Sequence, residues 1–169
     1  MPHPRSEIQA AIDRYLELRR LCSAGERPWA DLAECFTDDI VFVDPGWGRV
    51  EGIDGVREEL LERAMVGLDG WEYPTDFVLI DGDRVVVKWR QSIPGSDGRR
   101  YEQSGWSQLV YAGDGRFRFE EDLLNMSHVM EDVARSGWSP PPGVVPSAPP
   151  AERNRDFSIP GGEPTRTGL

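Results

Sequence analysis

The sequence predicts an α+β fold in which one layer of helices lies against a curved, mainly antiparallel sheet. Three observations lead there. In the first third of the chain, apolar residues recur at helical spacing. From Trp71 onward they fall into short runs broken by Gly-containing turns. Eight of the 14 prolines then crowd between Pro140 and Pro164. Helices first, with a strand meander after them, is the order of a segregated α+β domain. The proline-rich end cannot gather enough apolar surface to offset its ordering entropy. Residues 139–169 are therefore expected to form an extended or disordered tail on a domain spanning 1–138.

The first helix is expected to open at Ser6, where Gln9 three positions later suits a reciprocal capping box. Ile8, Ala11, Ile12, Tyr15, Leu18 and Cys22 then make one apolar stripe, ended by Ser23-Ala24-Gly25. Pro28 suits the first position of a short second helix that turns Trp29, Leu32, Ala33 and Phe36 inward. Thr37-Asp38-Asp39 reads as a turn into the strand Ile40-Val41-Phe42-Val43, which stops at Asp44-Pro45. After a Gly46-Trp47-Gly48 loop, Asp54 can cap a third helix with Val56, Leu60 and Ala64 inward. Phe77 to Ile80 and Val85 to Ser92 read as strands around an Asp81-Gly82-Asp83 turn. A long strand from Arg100 to Tyr111 follows, with Gly105 suggesting a bulge. Beyond a Gly113-Asp114-Gly115 turn come a last strand, Arg116 to Leu124, and a final helix, Ser127 to Arg135.

Charge narrows the function classes. Thirty Asp and Glu against 19 Lys and Arg leave a formal −11, and all of it sits before the tail, whose acids and arginines cancel. So negative a body repels phosphate backbones and anionic lipid, which argues against nucleic acid and membrane surfaces as partners. Two cysteines and two histidines build neither a zinc pattern nor a disulfide framework. Cys22 and Cys35 fall on apolar helical positions, as reduced core thiols of a cytoplasmic protein would. No run reaches the length of a membrane helix, and the opening MPHPRSEIQ lacks the regions of a secretion signal. The chain also lacks a phosphate-cradling loop, a dinucleotide glycine fingerprint and a nucleophile-elbow serine. Neither a cofactor nor a metal is expected, and chemistry falls to carboxylates, phenols, indoles and amides.

Asp44 ends an apolar strand on the same face as Phe42. If that face is the core, desolvation raises its pKa and makes it a proton acceptor near neutral pH. An Asp before Pro also serves simply to start a turn. Asp122 shares parity with Arg118 and Glu120, which equally describes a solvated strand face. Val85, Val87, Trp89 and Gln91 share one face, as do Gln103, Gly105 and Ser107 on the long strand. With Trp47, Trp71 and Trp106 these residues could line a cavity of aromatics and a few convergent polar groups.

The segments Arg14-Tyr15-Leu16-Glu17-Leu18, Thr37-Asp38-Asp39-Ile40 with Asp44-Pro45, and the helix after Gly52 resemble the first half of ketosteroid isomerases. More broadly they resemble the nuclear-transport-factor-two-like, or SnoaL-like, superfamily, with element order matching over about residues 7–136. The resemblance implies that Asp44 is a general base beside a ketone and that Tyr15 donates to the enolate oxygen. It also departs from the isomerases: their second oxyanion donor falls on Ser107. The last strand, Arg118 to Asn125, is similar to that of limonene-epoxide hydrolase-like enzymes, which implies a water-activating role for Asp122. The Arg and Asp partners of those enzymes fall on Trp89 and Gln91.

These readings together imply a cone enclosing a pocket, a homodimer through the open sheet face, and a hydrophobic small-molecule substrate. The expected activity is a cofactor-independent isomerase or cyclase acting on a polyketide- or steroid-like carbonyl compound. Asp44, Tyr15 and Asp122 are the catalytic candidates; Trp47, Trp89, Gln91, Gln103 and Ser107 are the substrate-binding ones. A hydrolase or dehydratase centred on Asp122 and a non-catalytic binding or assembly module are the alternatives, since fold does not fix function.

Overall fold

Helix α1 (Arg5–Ser23) buries the expected stripe, from Ile8 to Cys22, and with it one residue of a different kind, Arg19. In this computed structural model, which describes residues 2–164, the Ser6/Gln9 capping box does not form. The carbonyl of Pro4 instead accepts the first N–H groups, from Glu7 and Ile8, and Gln9 donates to Asp13. A 3-10 segment (Trp29–Cys35) carries Leu32, Ala33 and Cys35 into the core. Strand β1 (Phe36–Asp44) begins before the apolar run, because Phe36 already pairs with Phe117 far along the chain. Thr37-Asp38-Asp39 is thus strand and not turn. A short β2 (Gly48–Glu51), unsignalled in the sequence, folds back on β1.

The third helical stretch is irregular. It starts as α2 (Ile53–Gly55), widens into a π-helical turn (Val56–Glu62) and tightens to 3-10 (Arg63–Met65). Asp54 does not cap it but pairs with Arg57. The widened turn lets Leu60 and Leu61 both face inward. Then come β3 (Thr75–Asp81), β4 (Arg84–Pro94), β5 (Arg100–Gly113), β6 (Arg116–Leu124) and α3 (Met126–Ser136). Asn125 caps α3, and Gly137 ends it in the left-handed conformation. The sheet order is β2-β1-β6-β5-β4-β3, antiparallel throughout except where β1 runs beside β6.

Two details of the sheet decide what faces the cone. Val110 stands opposite Phe119 and Tyr111 opposite Phe117, so Arg118 has no partner on β5. This bulge reverses parity along β6. Phe117 packs in the main core, Phe119 packs on the outer face with Val41 and Val110, and Glu120 is returned to the inside. Gly105, expected to mark a bulge, sits instead in regular register between Trp89 and Leu124. Its function is close approach: a Cβ there would lie 2.6 Å from the Trp89 ring. The outer face of the sheet carries exposed Phe77, Leu79, Trp106 and Leu123, so Trp106 is not a cavity residue.

Residues 139–164 hold turns but neither helix nor strand, and they lie against the body. Trp138 donates its indole N–H to the Gly67 carbonyl, and the backbone N–H groups of Ala148 and Arg49 donate to the carbonyls of Gly46 and Asn154 respectively. Ile159 covers the outer cluster of Val41, Val110 and Phe119. The last five residues of the proline-rich segment lie outside the described residues. Cys22 and Cys35 are buried free thiols. Among the described residues no helix is long and apolar enough to cross a membrane.

Candidate active site

Inside the cone lies a cavity of about 380 Å³, within the range of small-molecule sites. Its walls are mostly apolar, drawn from α1, the irregular third helix, the inner face of the sheet, α3 and the tail. Three acids, Asp44, Glu120 and Asp122, and one base, Arg19, are the charged side chains lining it among the described residues.

Asp44 does both things its sequence context suggested. Its Oδ1 accepts the backbone N–H of Gly46 at 2.7 Å and of Trp47 at 2.8 Å, which is the turn. Oδ2 has no protein partner among the described residues. Burial drives its pKa up to about 6, helped by the negative charge of Asp122 and opposed by the two N–H groups and Arg153. A carboxylate so placed is ionised at neutral pH yet basic enough to take a proton.

The second acidic centre is built from side chains. Ser107 Oγ donates to Asp122 Oδ1 at 2.5 Å and itself accepts from Trp89 Nε1 at 2.9 Å. Tyr15 donates to Glu120 Oε1 at 2.6 Å. Burial and the neighbouring Asp122 push the Glu120 pKa well up, while a side-chain hydrogen bond between the two acids favours neutral Glu120 and ionised Asp122. Burial also raises Asp122, against the pull of Arg19 and Ser107.

Trp47, Trp89 and Gln91 line the cavity, as do Tyr15, Asp44 and Asp122. Ser107 and Gln103 do not. Ser107 stands behind Trp89, and Gln103 accepts from Gln91 at 3.0 Å while donating to Asp132 at 2.9 Å, so each braces a lining residue. Tyr15 lines the wall, but its hydroxyl is given to Glu120 and not to the open space expected of an enolate donor.

Sequence reasoning missed Glu120, Arg19 and Tyr73. The bulge at Arg118 hid Glu120. Arg19 was legible in principle, since it lies one helical turn after Tyr15 on the apolar stripe. It is 6 % exposed, and its guanidinium stacks 4.4 Å from the Trp89 ring centre and 5.6 Å from that of Tyr73. Tyr73 is raised by burial, and its hydroxyl makes no hydrogen bond among the described residues.

With the cone and its acids in place, comparison with known proteins is informative. Residues 13–123 match the SnoaL-like domain family. The chain belongs to the SnoaL-like family. No functionally curated protein matches it by sequence. Among solved structures, it is similar to a protein assigned as a SnoaL-like polyketide cyclase from Jannaschia sp. CCS1, at 18% identity and a TM-score of 0.62. That match covers 82% of this chain and 99% of the other. It is similar to a protein with the ketosteroid isomerase-like fold from Catenulispora acidiphila DSM 44928, in complex with trimethylamine, at 15% identity and a TM-score of 0.60, covering 75% and 97%. It is also similar to an LEH-like epoxide hydrolase of M. tuberculosis, at 19% identity and a TM-score of 0.58, covering 78% and 92%. The SnoaL-like α+β cone is thus shared with proteins described by different activities.

Proposed function

We propose that this SnoaL-like domain is a cofactor-independent isomerase or cyclase acting on an apolar carbonyl compound, polyketide- or steroid-like, by carboxylate-mediated proton transfer. One observation carries the reading: Asp44 is held by two backbone N–H groups at the wall of an apolar cavity, with one oxygen free and its pKa near 6. The free oxygen takes a proton from the carbon beside the carbonyl. The C–H electron pair moves into the new carbon–carbon double bond, and the carbonyl electrons move onto oxygen. Return of the proton to a different carbon gives an isomer; attack of the enolate carbon on a second carbonyl closes a ring, the electrons of that carbonyl moving onto its oxygen, which takes the proton back from Asp44. Tyr15 acts on this step through Glu120, whose position it fixes. Gln91, braced by Gln103, offers an amide for orientation.

The test is deuterium uptake from D2O at the acidic carbons of 2-tetralone, an apolar bicyclic ketone, followed by NMR. The protein accelerates uptake, and Asp44→Asn slows it by about 10²–10⁴-fold. Uptake indifferent to Asp44 sinks the assignment.

A second reading has one observation in its favour. The strand position that would bear an arginine in an epoxide hydrolase-like site is Trp89, yet Arg19 reaches the same place from α1 and stacks on that indole. Asp122 would then activate water beside a cation. Loss of activity with Asp122→Asn alone, and 18O from water in the product, select this hydrolytic role. If neither acid matters except for stability, the domain binds without catalysis.

The exposed apolar band of Phe77, Leu79, Trp106 and Leu123 supports a homodimer through the outer sheet face. Trp106→Glu converts that dimer to a monomer in sedimentation; an unchanged mass removes the interface.

A further inference from the structure

A buried arginine without a carboxylate partner is uncommon, because taking a charge out of water is costly unless hydrogen bonds replace the lost hydration. Arg19 is such a residue. Its guanidinium makes no hydrogen bond or ion pair among the described residues, and Nη1 is buried without any partner. The Trp89 and Tyr73 rings engage the cation through their π systems. Ring stacking of this kind holds a guanidinium in place and leaves its in-plane N–H edge for an acceptor.

A second unmet donor lines the same cavity. Trp71 is 5 % exposed, lines the cavity, and its Nε1 is also buried without a partner. Its backbone carbonyl accepts from Ser23, one turn beyond Arg19 on α1, and its ring packs edge-on against Trp138. Leaving a buried donor unsatisfied forfeits the hydration it had in the unfolded chain. Two such donors lining one cavity mark a place where an acceptor belongs. The acids do not supply it. Asp44 keeps one oxygen free and Glu120 Oε2 is itself buried without a partner. Yet no carboxylate oxygen among the described residues bonds Arg19 or the Trp71 indole, and the Arg19 charge acts on Glu120 and Asp122 only through space.

We infer that Arg19 and Trp71 form the oxygen-binding wall of this cavity, and that the substrate is an apolar, enolisable carbonyl compound whose oxygen takes up negative charge there. The inference rests on the proton-transfer reading of Asp44 and assigns the oxygen to Arg19 and Trp71 in place of Tyr15. Charge-assisted N–H bonds strengthen as the oxygen becomes an enolate, so the wall favours the reacting state over the ketone.

The experiment uses two probes of matched apolar body, the 2-hydroxy-1,4-naphthoquinone anion, which is a stable enolate, and neutral 1,4-naphthoquinone. Affinities are measured by calorimetry at pH 7. The protein carries Asp44→Asn, whose neutral side chain stands for the base after it has taken the proton. The anion binds at least about tenfold more tightly than the neutral quinone. Arg19→Met in the same background erases the difference while the neutral quinone still binds. Trp71→Phe, which deletes only the N–H edge of a retained aromatic, reduces the preference and guards against a misfolded Arg19 variant. No preference, no binding of the anion, or a preference that survives both substitutions overturns the wall. Should the preference hold while Asp44→Asn leaves deuterium uptake intact, the proton-transfer reading falls and the wall stands. Loss of uptake with Asp44→Asn but no Arg19-dependent preference removes the wall alone.

Discussion

Asp44 and Asp122 face one cavity but are held in opposite ways. Asp44 sits at a strand end, and both of its donors are backbone N–H groups within three residues. Asp122 sits mid-sheet, and its partners are side chains: Ser107, fifteen positions away, and Glu120, itself fixed by Tyr15 across 105 positions. The first carboxylate is preorganised locally, with one oxygen spare. The second depends on a network that must assemble all at once. Proximity to a ligand cavity is therefore not what separates the two acids; what separates them is whether the donors that hold the acid come from its own turn or from side chains across the sheet.

Substitutions sharpen this contrast. Asp44→Asn has the largest effect, the loss of turnover by about 10²–10⁴-fold described above, with a pH profile whose acid limb falls near pH 6 in the parent. The same change has an opposite consequence for stability. A carboxyl whose folded pKa is raised contributes its stability at low pH and loses it as pH rises through the folded value. Asp44→Asn therefore raises the unfolding free energy at pH 8 by on the order of 1–3 kcal/mol. In urea titrations the gain shrinks as pH is lowered through 6 toward 4.

Gly105→Ala attacks the second site from behind. Its methyl collides with the Trp89 ring, so the domain loses about 1–3 kcal/mol, and the indole leaves Ser107. Chemical denaturation and the indole N–H resonance report both. Ser107→Ala is milder, costing about 1–2 kcal/mol through two lost hydrogen bonds. It also raises the Asp122 titration in NMR, because the serine lowers it directly, and reaches Asp44 only through the charge of Asp122. Smallest is Arg153→Gln, which moves the Asp44 titration upward by about half a unit or less and does not touch Asp122.

The sequence made the local site readable and hid the distributed one. Asp-Pro-Gly after an apolar strand states its own turn, and parity with Phe42 places the carboxylate inside, as found. Most elements were equally plain, since stripes and turn glycines act over a few residues. The face of Glu120 was left open between wet and functional because parity counted straight through Arg118, where the bulge adds one residue to β6. That bulge is a property of the pairing with β5, which no window on β6 alone contains. Arg19 was passed over for another reason. A charge on an apolar stripe reads as an exception until the cavity beneath it is known. Likewise β2 and the early start of β1 exist because partners elsewhere in the chain accept their backbone groups.

The segment after α3 lines the cavity at Pro140, Val144 and Ser147 before Ile159 packs on the outer face of the sheet. It passes where Gly46, Gly48 and Gly67 leave no side chain in its way. A rim made of chain without helix or strand can lengthen, shorten or change composition without disturbing a single strand pairing. Descendants of such a gene can thus retune which molecules enter while inheriting the acids intact, and selectivity evolves on one stretch of DNA as the reaction is preserved on another.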